Sequence, residues 1–311
     1  MATRVFIDGA AGTTGLEIRE RLKGRGEFDL IVLDDASRKS EAARRGALHA
    51  ADIAILCLPD DAAKEAVRLA EGAGTRFIDA SSAHRVAAGW TYGFSELIGR
   101  EAVAAAQLVS NPGCYPSGFL ALVAPLVKAG LLPADWPYSV NAVSGYSGGG
   151  NALIDRFAAE PDLAFRAYGL SMGHKHLPEM QAYAGLAHAP VFSPAVVPAH
   201  RGMVVDVPLP LAAMPGAGDA GALRACLAEF YAGSAVVKVA EEAPSELLLR
   251  QGASAEDGMV LHVFGSADGT QARLVAVLDN LGKGASGAAI QNLNLMCGLP
   301  ETAGLRLGDT P

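Results

Sequence analysis

Short apolar runs alternate with segments of helical periodicity over the first third of the chain. Four runs rich in Val, Ile, Leu and Phe have the length of buried strands and lie at 3–8, 28–34, 51–58 and 76–80. The segments between them have a helical period: the first follows residue 15 and runs through Leu22, and the others lie at 38–47 and at 61–72. This alternation predicts a doubly wound α/β (Rossmann) fold with a mostly parallel sheet and right-handed crossovers.

The pattern changes after residue 118. One further helix is expected to end near Lys128, with Gly130 as its stop. Beyond it, alternation typical of strands covers 139–146, 195–211, 235–240, 259–266 and 271–280. Asp268-Gly269 predicts a hairpin turn, and helices are expected over about 219–232 and 283–298. This part of the chain therefore predicts an α+β domain with a mostly antiparallel sheet.

The composition is typical of a two-domain globular chain. Its 311 residues exceed the ~100–200 of one domain, and 50% of them are hydrophobic. The formal net charge of −8 argues against a nucleic-acid partner, which needs a concentrated basic face. No run of ~18 uncharged apolar residues appears, so we expect no membrane span.

The N-terminus and the cysteines indicate a reducing compartment. The first residues lack the apolar region of a signal peptide and enter a strand at once, so we expect a cytoplasmic protein. The four cysteines lie far apart, without CxxC or Cys/His metal spacing, so we expect them reduced and no metal site. Cys57, Cys226 and Cys297 lie in apolar or helical patterns, whereas Cys114 does not.

A glycine-rich turn follows the first predicted strand and opens a helix. Its spacing is GxxGxxG, which lets the backbone approach a pyrophosphate whose charge meets the N–H groups of the helix. Glycines also serve tight turns, but the N-terminal strand-to-helix turn is where a dinucleotide fingerprint belongs. The candidate cofactor-binding residues here are Gly9, Ala11, Gly12, Thr13, Thr14 and Gly15.

The residues after the second predicted strand do not decide whether the cofactor is NAD or NADP. Asp34 and Asp35 stand where an acidic residue holds the ribose hydroxyls of NAD. Arg38 and Lys39 follow at once and could hold a 2′-phosphate, or could belong to a solvated helix face. Spacing alone does not separate NAD from NADP.

Cys114 is the candidate nucleophile. Pro112 and Gly113 predict a turn before it, and Pro116 suits the first turn of the helix that follows. A thiol at a helix N-terminus is favoured as the reactive thiolate by the helix dipole.

His174 and His176 supply the candidate base, since Pro178 indicates a helix start that keeps a neighbouring histidine neutral. If the segment is extended, both rings point to the same side. A metal site is the alternative for such a pair, but no further ligands complete it.

Six segments resemble the N-acetyl-γ-glutamyl-phosphate reductases, in particular the shorter form of these members of the semialdehyde dehydrogenase superfamily. They are GAAGTTG (9–15), DASSAHR (79–85), YGFSEL (92–97), SNPGCYPSG (110–118), HKHLPE (174–179) and DNLGKGASGAAIQNLNLM (279–296). They are spread over nearly the whole chain, and NPGCYP is the most specific of them.

The resemblance implies NADPH-dependent reduction of an acyl phosphate to a semialdehyde with release of phosphate, in arginine biosynthesis. It implies an NADP-binding domain over 1–112, completed by the C-terminal helix (282–311), and a catalytic and oligomerisation domain over 113–281. It also implies a small-molecule acyl phosphate as partner and a homo-oligomer, a dimer or a tetramer. Cys114 would form a thioester, and His176 would move the proton while His174 donates to the oxyanion or binds substrate.

Four further residues are candidates for the site. Arg85 and Arg201 could bind the phosphate or carboxylate of the substrate, because a guanidinium matches both groups; a surface ion pair is the alternative for each. Asn111 is a candidate substrate ligand, and the resemblance places Asn280 near the nicotinamide. Other readings of the whole chain are an aspartate- or aminoadipate-type semialdehyde dehydrogenase, or a non-catalytic NADP-binding redox sensor.

Overall fold

The structure is a computed structural model, and it describes residues 2–308. The chain forms two compact units. The first contains the described residues up to Gly113 together with Ala285–Leu305. The second contains Cys114–Gly284 and residues 306–308. No helix within residues 2–308 is long and apolar enough to cross a membrane.

The first unit is built around a six-stranded parallel sheet. In chain order its elements are β1 (Thr3–Asp8), α1 (Thr13–Leu22), β2 (Phe28–Ile31), α2 (Glu41–Ala50), β3 (Ile53–Leu56), α3 (Asp60–Leu69), β4 (Arg76–Asp79), β5 (Thr91–Tyr92), α4 (Ser95–Ile98), α5 (Arg100–Ala105) and β6 (Leu108–Ser110). The strand order is β2-β1-β3-β4-β6-β5, and every pair is parallel. The predicted doubly wound sheet is confirmed.

The second unit is built around a seven-stranded mixed sheet. Its elements are α6 (Cys114–Lys128), β7 (Ser139–Gly145), α7 (Gly150–Ala159), β8 (Arg166–Ala167), α8 (Leu177–Ala184), β9 (Val191–Val197), β10 (Met203–Leu209), α9 (Ala220–Phe230), β11 (Val237–Val239), β12 (Met259–Gly265) and β13 (Ala272–Leu278). The order is β11-β12-β13-β10-β7-β9-β8; the β11–β12 and β7–β9 pairs are parallel and the other four antiparallel. The mostly antiparallel sheet was predicted correctly.

The last helix, α10 (Gly287–Met296), belongs to the first unit. Ile290 and Leu293 of this helix share one apolar cluster with Val5 and Ile7 of β1, on one face of the parallel sheet. Phe6 points to the opposite face, into a second cluster with residues of α2 and α3. Because β1 alternates between two buried faces, it reads as a continuous apolar run.

Two predicted boundaries were wrong, and one helix was not predicted. The helix expected from residue 38 begins at Glu41, because Asp34 caps a local turn through Ser37 and the Ser40 side chain then caps α2. The run over 195–211 is not one strand, since Gly202, with a φ of 103°, turns the chain between β9 and β10. Helix α7, which begins at Gly150, was not predicted.

Candidate active site

Two positions in the turn after β1, Gly9 and Gly15, accept no residue larger than glycine. A Cβ on Gly9, whose φ is 89°, would collide with the backbone oxygen of Cys57. A Cβ on Gly15 would collide with the backbone oxygen of Gly9. Gly12 is the N-cap of α1. As a glycine it has no side chain that could cover the N–H groups of the first turn of the helix. This cradle fits a dinucleotide pyrophosphate.

A cavity of about 440 Å³ lies beside this turn in the first unit. Of the predicted residues it is lined by Gly9, Ala11 and Arg38, and also by Lys39. Arg19 and Arg44, which line the same cavity from α1 and α2, were not predicted. No local sequence pattern marks these two arginines as cavity residues, because only the packing of α1 and α2 brings them to the glycine turn.

Asp34 and Asp35, the two candidates for binding the ribose hydroxyls, have different surroundings. Asp34 accepts hydrogen bonds from the hydroxyl and the backbone N–H of Ser37, and these hold the pKa of Asp34 below its usual range. Asp35 is almost fully exposed and pairs with Arg38 at 2.9 Å. Asp34 is therefore part of a turn, and cations outnumber carboxylates around the cavity.

Cys114 is the first residue of α6, as the proline and glycine pattern predicted. Gly284 packs directly against it, since a Cβ on Gly284 would lie 2.9 Å from the Cβ of Cys114. Gly284 belongs to the π-helical turn Gly282–Ser286. Nothing local in the sequence marks this glycine, because the contact joins residues 170 positions apart.

His174 and His176 face each other in the second unit. Their ring centroids lie 4.7 Å apart, and the backbone N–H of His176 donates to Nδ1 of His174 at 3.2 Å. The segment is not extended at this point, because His176 has helical backbone angles as the N-cap of α8. The rings meet because this turn folds the chain back, and His176 is buried as a result.

Three aromatic rings surround the histidine pair. The Tyr115 ring lies 6.2 Å from that of His174 and 5.9 Å from that of His176, between centroids. Tyr168 and Phe192 pack on His174 at 5.7 and 5.1 Å. Tyr115 could have been predicted as a site residue because it follows Cys114 in the sequence. Nothing in the sequence marks Tyr168 or Phe192 as site residues.

The tyrosine hydroxyls connect this cluster to the nucleophile. Tyr168 donates to Tyr115 at 3.2 Å, and Tyr115 donates to the backbone oxygen of Ala195 at 3.2 Å. Burial raises the pKa of Tyr168 to about 12, and the negative charge of Cys114 adds to this rise. Burial and the neighbouring Tyr168 and Cys114 charges also raise the pKa of Tyr115. The Cys114 sulfur is thus an electrostatic neighbour of the aromatic cluster.

Arg201 and Asn280 lie at the ends of β10 and β13 in the same unit. Arg201 donates to the buried Asp279 carboxylate at 2.8 Å. Asn280 accepts from the backbone N–H of Gly202 at 2.9 Å and donates to the Ser147 hydroxyl at 2.9 Å. Asn280 therefore ties the glycine loop of 145–150 to the start of β10.

Arg85 and Asn111 are brought together in the first unit. The buried Arg85 donates to the backbone oxygens of Asn111 and Ala80, at 3.2 and 3.3 Å. The Asn111 side chain donates to the backbone oxygen of Ala285 and accepts from Asn292 at 3.1 Å. Both residues thus hold the backbone that leads to Cys114.

Two family descriptions match the chain in sequence. "Semialdehyde dehydrogenase, NAD binding domain" matches residues 4–106, and "Semialdehyde dehydrogenase, dimerisation domain" matches residues 114–280. The chain belongs to the semialdehyde dehydrogenase family. The oxidoreductase class, the Rossmann fold and a nicotinamide dinucleotide cofactor are confirmed, and the dimerisation domain supports an oligomer.

Relatives within the family place the chain more narrowly. Proteins named N-acetyl-gamma-glutamyl-phosphate reductase from Brucella ovis and Brucella canis are each 52% identical over 309 residues, 96% of this chain and 100% of theirs. The resemblance inferred from the six segments is confirmed.

The fold is that of aspartate semialdehyde dehydrogenase II from Vibrio cholerae, with a TM-score of 0.71 at 17% identity, covering 96% of this chain and 99% of that one. Aspartate semialdehyde dehydrogenase from Candida albicans gives a TM-score of 0.69 at 15% identity, with the same coverage.

Proposed function

We propose that the chain catalyses the NADPH-dependent reduction of N-acetyl-γ-glutamyl phosphate to N-acetylglutamate 5-semialdehyde, with release of phosphate. The observation that carries this proposal is the placement of Cys114 at the start of α6, beside Tyr115, against which the rings of His174 and His176 pack. Relatives of that name, 52% identical over their whole length, supply the substrate class. The first unit would bind the cofactor, and the second would carry catalysis.

The reaction begins at Cys114. Its thiolate attacks the acyl phosphate carbonyl, the bond from carbon to the phosphate oxygen breaks, and phosphate leaves with that electron pair. Bound NADPH supplies the hydride that reduces the resulting thioester. His176 then moves the proton as the Cys114 thiohemiacetal collapses to the aldehyde and thiolate. His174 donates to the oxyanion or to the substrate, and Arg201, held by Asp279, binds a carboxylate or phosphate of the substrate.

We assign NADPH rather than NADH as the cofactor because of the charge around the cavity at the glycine turn. Arg19, Arg38, Lys39 and Arg44 line it, against Asp8 and Asp35. Arg44 is already paired with Asp8 at 2.7 Å. Arg38 is likewise paired with the exposed Asp35 at 2.9 Å. Two cations of the cavity lining remain in excess over the carboxylates, which suits a 2′-phosphate.

Phosphate-dependent reduction of NADP⁺ by the purified chain with N-acetylglutamate semialdehyde tests the function. We expect turnover with this aldehyde and little with aspartate or aminoadipate semialdehyde. Preference for either of the latter two would overturn the substrate assignment. NADPH binding without any turnover would favour the redox sensor.

The oligomer is proposed to be a homodimer formed by the second unit. Helix α6 packs on one face of the seven-stranded sheet, where Gly118 meets Val205. On the opposite face, register aligns four half-buried valines across four strands: Val143, Val204, Val277 and Val260. A row of half-buried β-branched side chains on this sheet face is suited to a second copy.

Light scattering of the full chain tests the dimer. We expect a dimer that Val204→Lys converts to a monomer, while Gln271→Lys, on the exposed hairpin turn, leaves it intact. A dimer that survives Val204→Lys would contradict the assignment of this face. A tetramer would show that a second interface exists.

A further inference from the structure

A buried carboxylate lies at the carboxyl end of β4. Asp79 is fully buried, and it accepts hydrogen bonds from the backbone N–H and the hydroxyl of Ser81, at 2.9 and 2.7 Å. Its third partner is His84, whose Nδ1 lies 2.6 Å from the Asp79 carboxylate. Since an ionised carboxylate only accepts, Nδ1 carries the proton in this pair.

The imidazole of His84 is also held by its ring face. It stacks on Trp90 with centroids 4.1 Å apart and planes 10° apart. Trp90 packs in turn against the apolar cluster formed with α2 and α3. The side chain is 11% exposed, and Nε2 makes no hydrogen bond with any residue between 2 and 308. Nε2 of His84 is therefore held in a fixed orientation without a hydrogen bond to the described part of the chain.

The local charge decides which group this nitrogen can bind. With the proton on Nδ1, a neutral imidazole presents Nε2 as an acceptor. Two carboxylates lie in the same loop region, Asp79 and Asp60, which accepts from the Ser82 hydroxyl at 2.7 Å. The nearby Arg85 guanidinium is buried and donates to the backbone oxygens of Asn111 and Ala80. A phosphate next to the two carboxylates would be repelled by them, whereas a hydroxyl can donate to Nε2 without that cost. The ligand group that fits is a sugar hydroxyl.

The position of the Asp79–His84 pair along the sheet indicates which of the two riboses of the dinucleotide lies next to it. In a doubly wound sheet a dinucleotide lies across the carboxyl ends of the strands, with one nucleotide on each side of the glycine turn. The cavity lined by Arg38 and Lys39 lies on the β2 side of β1, and neither Asp79, His84 nor Trp90 lines it. The Asp79–His84 pair lies on the other side, beyond β3. This is the side left for the nicotinamide half.

We propose that His84, oriented by Asp79 and Trp90, accepts a hydrogen bond from a hydroxyl of the nicotinamide ribose. The proposal rests on the proposed NADPH-binding function. His84 is then a cofactor-binding residue, and Asp79 and Trp90 are positioning residues for it.

Calorimetric titration of the full chain with two ligands tests the assignment. NADPH carries both ribose groups, whereas 2′,5′-ADP carries only the adenosine side. His84→Phe keeps a ring on Trp90 but removes Nε2, so we expect about five- to tenfold weaker NADPH binding, the effect of one hydrogen bond, and unchanged 2′,5′-ADP binding. The control is His49→Phe, at the end of α2, where Nε2 contacts the backbone oxygen of Leu69. It should change neither affinity.

Nitrogen NMR on the unsubstituted, histidine-labelled chain gives a second measurement that does not depend on the variant folding. The Nε2 resonance of His84 should shift on addition of NADPH and stay in place with 2′,5′-ADP. Equal weakening of both ligands, no weakening of either, or an unmoved resonance would overturn the proposal. A chain that binds NADPH but reduces no acyl phosphate would refute the proposed function while leaving this test valid.

Discussion

The backbone N–H of His176 donates to Nδ1 of His174, 3.2 Å away. A neutral His174 that accepts at Nδ1 must carry its proton on Nε2, so its Nε2 is a donor. A donor suits the oxyanion or the substrate and cannot take up a proton at the same nitrogen. The hydrogen bond therefore separates the roles of two histidines whose rings are in contact.

Alanine at each histidine should separate catalysis from binding. His176→Ala removes the group that moves the proton, so we expect kcat to fall by roughly 10²–10⁴-fold. His174→Ala removes a donor to the substrate, so KM should rise with a smaller effect on kcat. Steady-state kinetics across pH, with the exposed His188→Ala as control, measure both. Loss of kcat and of the acidic limb in His174→Ala alone would reverse the roles.

Cys114 should be the cysteine that iodoacetamide modifies first. Burial raises the pKa of Cys57 to about 12, with smaller contributions from Asp79 and Asp8, and burial also raises the pKa of Cys226 and Cys297. These three thiols hold less of the reactive thiolate near neutral pH. Peptide mass mapping after brief labelling gives the order.

Cys114→Ser should abolish turnover and leave NADPH binding and the melting temperature unchanged, because a hydroxyl near pH 7 is a far weaker nucleophile than a thiolate. Labelling of all four cysteines at one rate would argue against a distinct nucleophile. So would a serine variant that retains turnover.

Replacing Arg38 and Lys39 together by Ala should weaken NADPH binding far more than NADH binding. Both residues line the cavity at the glycine turn, and a charge-assisted contact to the 2′-phosphate is worth about 1.5–3 kcal/mol at most. Calorimetric titration of each nucleotide measures the two losses, with Arg45→Ala on α2 as the control outside the cavity. Equal losses for NADPH and NADH would show that the pair does not bind a 2′-phosphate.

The sequence predicted those parts of the fold that have local causes. The strands of the first unit are apolar runs ended by charged or glycine-rich turns, and Cys114 follows a Pro-Gly turn. The break between β9 and β10 was missed because apolar residues continue through it, and the reversal depends on the backbone conformation of Gly202. Helix α7 was missed because glycines, which disfavour helices, form its start.

The candidate site was predictable where one segment carried the chemistry. Cys114, the histidine pair and the glycine turn each lie within a short motif. The partners that orient them do not: Tyr168 reaches Tyr115 across 53 residues, and Arg201 reaches Asp279 across 78. Such contacts depend on which strands become neighbours, and that is decided by the packing of the whole unit rather than by any local pattern.

Gly9→Ala should disrupt the cofactor site more than the backbone angle alone explains. Gly9 and Gly24 both have positive φ, 89° and 80°, which costs an alanine about 1–2 kcal/mol. A Cβ on Gly24 meets nothing within 4 Å, whereas one on Gly9 meets the Cys57 backbone oxygen.

We therefore expect Gly24→Ala to lower the free energy of unfolding by that amount and leave NADPH binding intact. Gly9→Ala should lower it further and abolish NADPH binding. Denaturant unfolding and calorimetric titration of both variants give the comparison. Similar unfolding free energies and similar NADPH affinities would show that the turn can shift away from Cys57.

His262 should make the folded state sensitive to acid. It lies buried in β12, its Nδ1 has no hydrogen-bond partner among residues 2–308, and burial lowers its pKa. The unfolded chain therefore binds this proton at a higher pH than the folded chain does. The contribution of neutral His262 to the free energy of unfolding is fully present above about pH 6.5, the pKa of histidine in the unfolded chain. It is lost as the pH falls towards the lower pKa of the folded chain, by at most about 1.4 kcal/mol per pH unit.

His262→Leu removes that proton uptake while keeping an apolar side chain against Phe264, whose ring lies 6.0 Å away between centroids. We expect its free energy of unfolding in urea to fall less than that of the unsubstituted chain between pH 8 and pH 5.5. His188→Ala, at an exposed position outside β12, is the control and should show the unsubstituted pH dependence. If His262→Leu also keeps that dependence, the acid sensitivity arises from other groups. A steeper loss in the leucine variant would mean that protonated His262 stabilises the fold, the opposite sign to the one argued here.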